Sequence, residues 1–239
     1  MDRRNFIKGG IATASVVAMP KILKAEGLRK MKVLLVNGSP NEKGCTYTAL
    51  KEIADTLEKE GIEPIIYHVG NDPISSCRAC GACNNLKKCV IDDKVNEFVE
   101  LASTCDGFVI GSPVHYASAS GATTAFLDRA FYSASRSGKK IFPHKPATAI
   151  ASARRAGTTA TLDQLNKYFT ISGMPVASSQ YWNSVHGAAP GQAGEDLEGL
   201  QTMRTLARNM SFLMKSIALG KEKFGLPEKE NHAWTNFIR

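Results

Sequence analysis

The sequence has no run of about 20 consecutive apolar residues, the length a helix needs to cross a bilayer. It also lacks GxGxxG and GxxxxGK[ST], which disfavours the usual dinucleotide and nucleoside-triphosphate loops. There is no internal repeat and no low-complexity segment, so solenoids and disordered tails are excluded as its main architecture. The formal charge of +8 invites a nucleic-acid reading, but no stripe of interleaved basic and aromatic residues accompanies it. Nucleic acid is therefore not an expected partner. What remains is an ordinary globular mixture, 43% hydrophobic and 22% charged, over 239 residues.

Half of that net charge sits in residues 1–25, where Arg3, Arg4, Lys8, Lys21 and Lys24 face only Asp2. A basic start is followed by a short apolar stretch over residues 11–19 and a small residue, Ala25. That order reads as an export signal outside the fold. The RRxFxK pattern at Arg3, Arg4, Phe6 and Lys8 resembles the twin-arginine type, a receptor-read address. The reading implies a periplasmic or extracytoplasmic protein. Leu23, large for a position two residues before a cleavage point, leaves an uncleaved membrane tether open.

From Lys32 the chain alternates strand-like and helix-like segments. Apolar runs at 32–37, 64–69, 107–111, 148–152 and 176–182 read as five strands. Leu50, Ile53, Ala54 and Leu57 share one helical face, as do Val95, Phe98, Val99 and Ala102 after Asp92 and Asp93. Helices are also expected over 120–132, around Leu162, Leu165 and Phe169, and from Leu200 to Ile217. This alternation predicts an α/β fold, a doubly wound five-stranded parallel sheet in three α/β/α layers. The domain is expected over 31–220, with a cysteine-bearing insertion at 73–92 and an irregular tail at 221–239.

In such sheets ligands bind beyond the carboxyl ends of the strands, where strand order reverses. Three glycine- or serine-bearing loops follow the first, third and fourth strands, so all belong at that edge. The first holds Ser39, Asn41 and Thr46 at the opening of a helix, where amides and hydroxyls suit an anion. The segments KVLLVNGSPNEKGCT, GSPVHYASASGATTAFLDRA and ARRAGTTATLDQL resemble the flavodoxin-like NADPH-dependent FMN reductase family. The resemblance implies that Ser39, Asn41, Cys45 and Thr46 hold the FMN phosphate. It implies also that Pro113, Val114, His115 and Tyr116 line the isoalloxazine, with the segment from Ala153 to Gly157 on its other side. Two positions depart from the family pattern: Asn41 replaces a frequent basic residue, and Cys45 a frequent asparagine. No catalytic acid or base is assigned, because flavin redox chemistry belongs to the cofactor. His115 has two readings, packing and catalysis. Arg154 and Arg155 suit either an NADPH phosphate or plain solvent.

Four of the six cysteines fall in Cys77-x2-Cys80-x2-Cys83-x5-Cys89. Thiolates this close in sequence suit one metal centre. The run differs from that of ferredoxins, whose last gap is three residues and ends in Cys-Pro. It is similar to the compact motif of iron–sulfur flavoproteins, a branch of the same family, which implies a [4Fe–4S] cluster beside the FMN. Zinc, disulfides and vacant thiols remain alternatives. The expected function is an FMN-dependent oxidoreductase passing electrons from NAD(P)H or an electron-transfer protein to a small acceptor such as a quinone. A cluster-free NAD(P)H-dependent reductase and a non-catalytic electron carrier are the competing readings. The resemblance also implies a homodimer or higher homo-oligomer.

Overall fold

The computed structural model describes residues 29–231 and 233–237. The export signal expected over 1–25 lies outside the described residues. The first strand, β1 (Lys32–Asn37), is apolar from Val33 to Val36 because it is buried on both faces. Leu34 and Val36 enter one hydrophobic core, and Val33 and Leu35 enter the other. A central parallel strand covered by helices on both sides requires that pattern.

The chain continues through α1 (Cys45–Lys59), β2 (Glu63–His68), the single turn α2 (Cys83–Leu86) and α3 (Lys94–Ser103). Then follow β3 (Gly107–His115), the two-residue β4 (Ser118–Ala119), α4 (Gly121–Arg136), β5 (Ala147–Ala153) and α5 (Thr158–Ile171). A short β6 (Ser184–His186), α6 (Pro190–Glu195) and the 28-residue α7 (Leu197–Phe224) complete the order. The main sheet runs β2-β1-β3-β5-β6, with every pairing along it parallel, and β4 folds back antiparallel on β3. Leu50, Ile53 and Leu57 of α1 pack with Met203, Leu206 and Met210 of α7 on one face. Phe98 of α3, Phe126 of α4 and Leu165 and Phe169 of α5 cover the other. The result is the expected flavodoxin-like three-layer α/β/α arrangement.

One expected strand is displaced. Residues 176–182 contribute only an isolated bridge, Val176 to Ala147, and the fifth parallel strand is β6. Ser179 turns the chain locally: its Oγ accepts from the Tyr181 amide and donates to the Tyr181 carbonyl. Tyr181 and Trp182 consequently stand exposed, with their rings against each other and outside the core. The last helix also extends past residue 220, to Phe224.

Candidate functional site

Strand order reverses between β1 and β3: β2 lies on one side of β1, and the rest of the sheet on the other. The loops after β1 and β3 therefore diverge and leave a crevice at their carboxyl ends. The first loop is held from several directions. The buried Asn37 side chain accepts from the Ser39 amide at 3.1 Å and donates to the Glu42 carbonyl at 2.9 Å. A His68 ring nitrogen from β2 stands 2.9 Å from the Ser39 carbonyl oxygen. Ser39 Oγ in turn accepts from the Asn41 amide at 3.1 Å. Gly38 donates its amide to the Gly111 carbonyl at 2.9 Å and accepts from Ser120 Oγ and Thr123 Oγ1.

This loop delivers the chain into α1 without a side-chain cap. Gly44 occupies the capping position, whereas Asp93, Ser120 and Asp196 cap α3, α4 and α7. The first-turn amides of α1 thus have no side-chain acceptor from the cap, and the helix dipole adds positive potential there. Ser39, Asn41, Cys45 and Thr46 gather around this end. Thr46 is itself buried, its Oγ1 2.8 Å from Ser152 Oγ, so it braces the first turn of α1 to β5. Cys45 Sγ donates to the Gly187 carbonyl at 3.5 Å, and burial pushes its thiol pKa up. The first-turn amides, Ser39 and exposed Asn41 fit the anionic phosphate of FMN.

The crevice wall comes from β3 and β5. Pro113 and Val114 are half-buried at the end of β3, and His115 and Tyr116 are exposed at the tip of the β3–β4 hairpin. Tyr116 has φ +57°, a left-handed conformation costing on the order of 1–2 kcal/mol in a residue with a side chain. Across from it, Gly157 has φ +91° and starts α5, again with no side-chain cap. A Cβ on Gly157 would lie 2.7 Å from Val114 Cγ1, so the β5 loop rests directly on the β3 hairpin. Ala153 is half-buried, and Arg154 and Arg155 are exposed. All the residues implied for the flavin thus meet at one edge of the sheet, from β1, β3 and β5.

The cysteine segment lies beside α4. Cys77, Cys80, Cys83 and Cys89 all line one solvent-open recess, together with Ile91, Arg129 and Tyr132. All six cysteines of the chain are free thiols. Among the described residues, no three His, Cys, Asp or Glu side chains converge to enclose a single metal ion. A second cavity of about 720 Å³ opens between the ends of α4 and α5 and shares Cys77 and Tyr132 with the recess.

Arg129 is the residue that sequence reasoning missed. It is only 1% exposed, forms a bidentate pair with Asp93 at 2.6 and 2.9 Å, and donates to Cys89 Sγ. A helical arginine flanked by Asp128 and Ala130 carries no sequence sign that it turns inward.

Comparison with known proteins agrees with this geometry. The chain is 29% identical over 196 residues to an iron-sulfur flavoprotein of Methanocaldococcus jannaschii, covering 78% of this chain and 99% of that one. An iron-sulfur flavoprotein of Methanosarcina thermophila is 25% identical over 197 residues, covering 81% and 100%. Among solved structures, a flavodoxin from the domain Archaea superposes with a TM-score of 0.52 at 14% identity, covering 77% of this chain and 99% of its own. That likeness supports the fold. The family profile described as NADPH-dependent FMN reductase matches residues 31–189. With most of the sheet and all three crevice loops inside that match, the chain belongs to the NADPH-dependent FMN reductase family.

Proposed function

We propose that this protein is an iron–sulfur flavoprotein-type oxidoreductase, in which Cys77, Cys80, Cys83 and Cys89 hold a [4Fe–4S] cluster near the FMN. The observation that carries the reading is the shared recess of all four thiols. Cysteine thiolates are the ligands such a cluster requires, and these four would hold it from one recess. The iron-sulfur flavoprotein names of the relatives support the same assignment.

When bound, the FMN supplies two-electron redox chemistry and the cluster one-electron steps. The chain's own contribution is positional. The α1 amides, Ser39 and Asn41 fix the phosphate end, and the Thr46–Ser152 bond keeps the first turn of α1 against β5. Val114 and Gly157 close the wall beside the ring, and exposed His115 and Tyr116 form its rim. Arg129 lies eight residues along α4 from Gly121, about 12 Å at the helical rise, so α4 links the recess to the end of the β3–β4 hairpin.

Electrons pass from NAD(P)H or an electron-transfer protein to a small acceptor such as a quinone. Export by the twin-arginine route places the protein outside the cytoplasm, away from the NAD(P)H pool, and favours a redox protein as donor. The fully exposed Tyr116 at the crevice rim supports self-association, in which a second copy covers the flavin.

An anaerobic absorption spectrum, with iron and acid-labile sulfide measured on the same sample, tests the reading. Flavin bands with about four irons and four sulfides per chain are expected. Flavin without iron after anaerobic reconstitution refutes the cluster. It leaves the second reading, a cluster-free NAD(P)H-dependent reductase, which the exposure of Cys77 and Cys80 favours.

A further inference from the structure

Cys89 is held through both its backbone and its sulfur. Its amide donates to Asn96 Oδ1 at 3.0 Å, and Asn96 Nδ2 donates back to the Cys89 carbonyl at 3.0 Å. Its sulfur accepts from Arg129 Nε at 3.4 Å and Nη2 at 3.3 Å. The guanidinium cannot swing away: Asp93 takes two of its N–H groups, and the Ile91 and Ser75 carbonyls lie at 3.1 and 3.4 Å. Cys77 and Cys80, by contrast, are exposed, on a segment where Ala79 and Gly81 adopt positive φ.

Stability alone does not explain so buried an arginine. Replacing a buried ion pair by apolar residues of similar volume is often neutral or stabilising. A guanidinium fork does what an apolar side chain cannot: it grips a carboxylate with one edge and presents N–H groups to sulfur with the other.

We infer that Arg129 is a positioning residue for Cys89, holding its sulfur ready as a cluster ligand and raising the reduction potential of the bound cluster through N–H···S hydrogen bonds. The inference rests on the cluster reading above. Hydrogen bonds to the sulfurs are among the factors that set cluster potentials. Reduction adds negative charge to the cluster sulfurs, so donors stabilise the reduced form more than the oxidised one.

The test compares full-length wild type, Arg129→Lys and a surface control, Arg136→Lys, all reconstituted anaerobically. FMN content and far-ultraviolet circular dichroism report the fold. Iron per chain, iron loss to a chelator and the cluster midpoint potential report the inference. Arg129→Lys should keep its FMN, lose iron at least threefold faster and show a lower potential, while Arg136→Lys matches wild type. Wild-type potential and iron retention in Arg129→Lys overturn the inference and leave the cluster intact. A wild type that takes up no iron overturns the cluster reading instead, and this inference with it. If Arg129→Lys does not fold, resonance Raman spectra of wild type decide. A terminal iron–sulfur band that shifts on slow exchange into D2O supports the inference, and a band insensitive to exchange overturns it.

Discussion

Thr123 leaves no room for a side chain at Gly38: its Oγ1 donates to the Gly38 carbonyl at 3.0 Å, and a Cβ there would lie 2.1 Å from the same oxygen. The Gly111 carbonyl, 3.0 Å from that Cβ position, blocks retreat on the other side. The loop after β1 and the start of α4 are thus joined backbone to side chain across the crevice.

Gly38→Ala should therefore disturb the flavin site more than its single methyl suggests. Overpacking of this kind costs about 1–3 kcal/mol. If the shift falls on the loop, FMN affinity drops roughly tenfold for each 1.4 kcal/mol. Fluorescence titration of FMN into apoprotein, with a urea melt alongside, measures both; unchanged values in both would sink the brace.

The Asp93–Arg129 and Glu52–Arg204 pairs have the same closest N–O distance, 2.6 Å, but different surroundings. Asp93→Asn should keep the α3 cap while leaving a buried guanidinium without its counter-ion, a loss of about 3–5 kcal/mol. Glu52→Gln breaks a half-buried pair whose arginine, unlike Arg129, reaches solvent, and should cost no more than about 1 kcal/mol. Urea midpoints of the two variants should differ accordingly.

Burial pushes the titration of Tyr67, Tyr168 and Cys105 upward, with Asp128 accepting from the Tyr168 hydroxyl as a second cause there. The folded chain keeps these protons while the unfolded chain releases them, from about pH 8.5 for a thiol and about pH 10 for a phenol. Their stability contribution is whole below those values and is lost as pH rises towards the folded ones. Burial lowers Lys145 and acts in the opposite sense, weakening the fold at neutral pH and recovering on the alkaline side. With Cys45, whose thiol burial also raises, four groups oppose one, so the urea midpoint should decline above about pH 9. Tyr67→Phe should make that decline shallower.

In cluster-free protein, iodoacetamide should modify exposed Cys77 and Cys80 first, and buried Cys83 and Cys105 last. Cys45 should lag too, since its raised pKa leaves little thiolate. Mass spectrometry at timed intervals gives the order, and loading with iron and sulfide should protect Cys77 and Cys80.

Much of this was legible in the sequence where one physical demand dominates. Residues 32–37 are apolar at nearly every position because β1 is covered on both faces, and the cysteine spacing advertises itself. The last strand was not legible. Residues 176–182 carry strand-like composition, yet a Ser179 turn defeats it, while the actual β6 is three residues long and begins with serine. Thr46 could be placed in the phosphate loop from pattern, but its bond to Ser152, 106 residues later, depends on how β1 and β5 settle in the sheet. Arg129 stayed hidden for the same reason: its partners lie 36 and 40 residues away, and only tertiary packing turns it towards them.

Two of the helices without a side-chain cap, α1 and α5, have a consequence together that neither has alone. α1 lies on one face of the sheet and α5 on the other, yet both begin at the same edge, at Gly44 and Gly157. Their positive ends thus approach the crevice from above and below. A pocket biased in this way discriminates by charge as well as by shape, retaining whatever occupant is more anionic. By thermodynamic linkage, a pocket that prefers the electron-rich form of its guest also makes that form easier to reach. Two missing side-chain caps, each a small local loss to its helix, would together tilt the resting oxidation state of the whole protein.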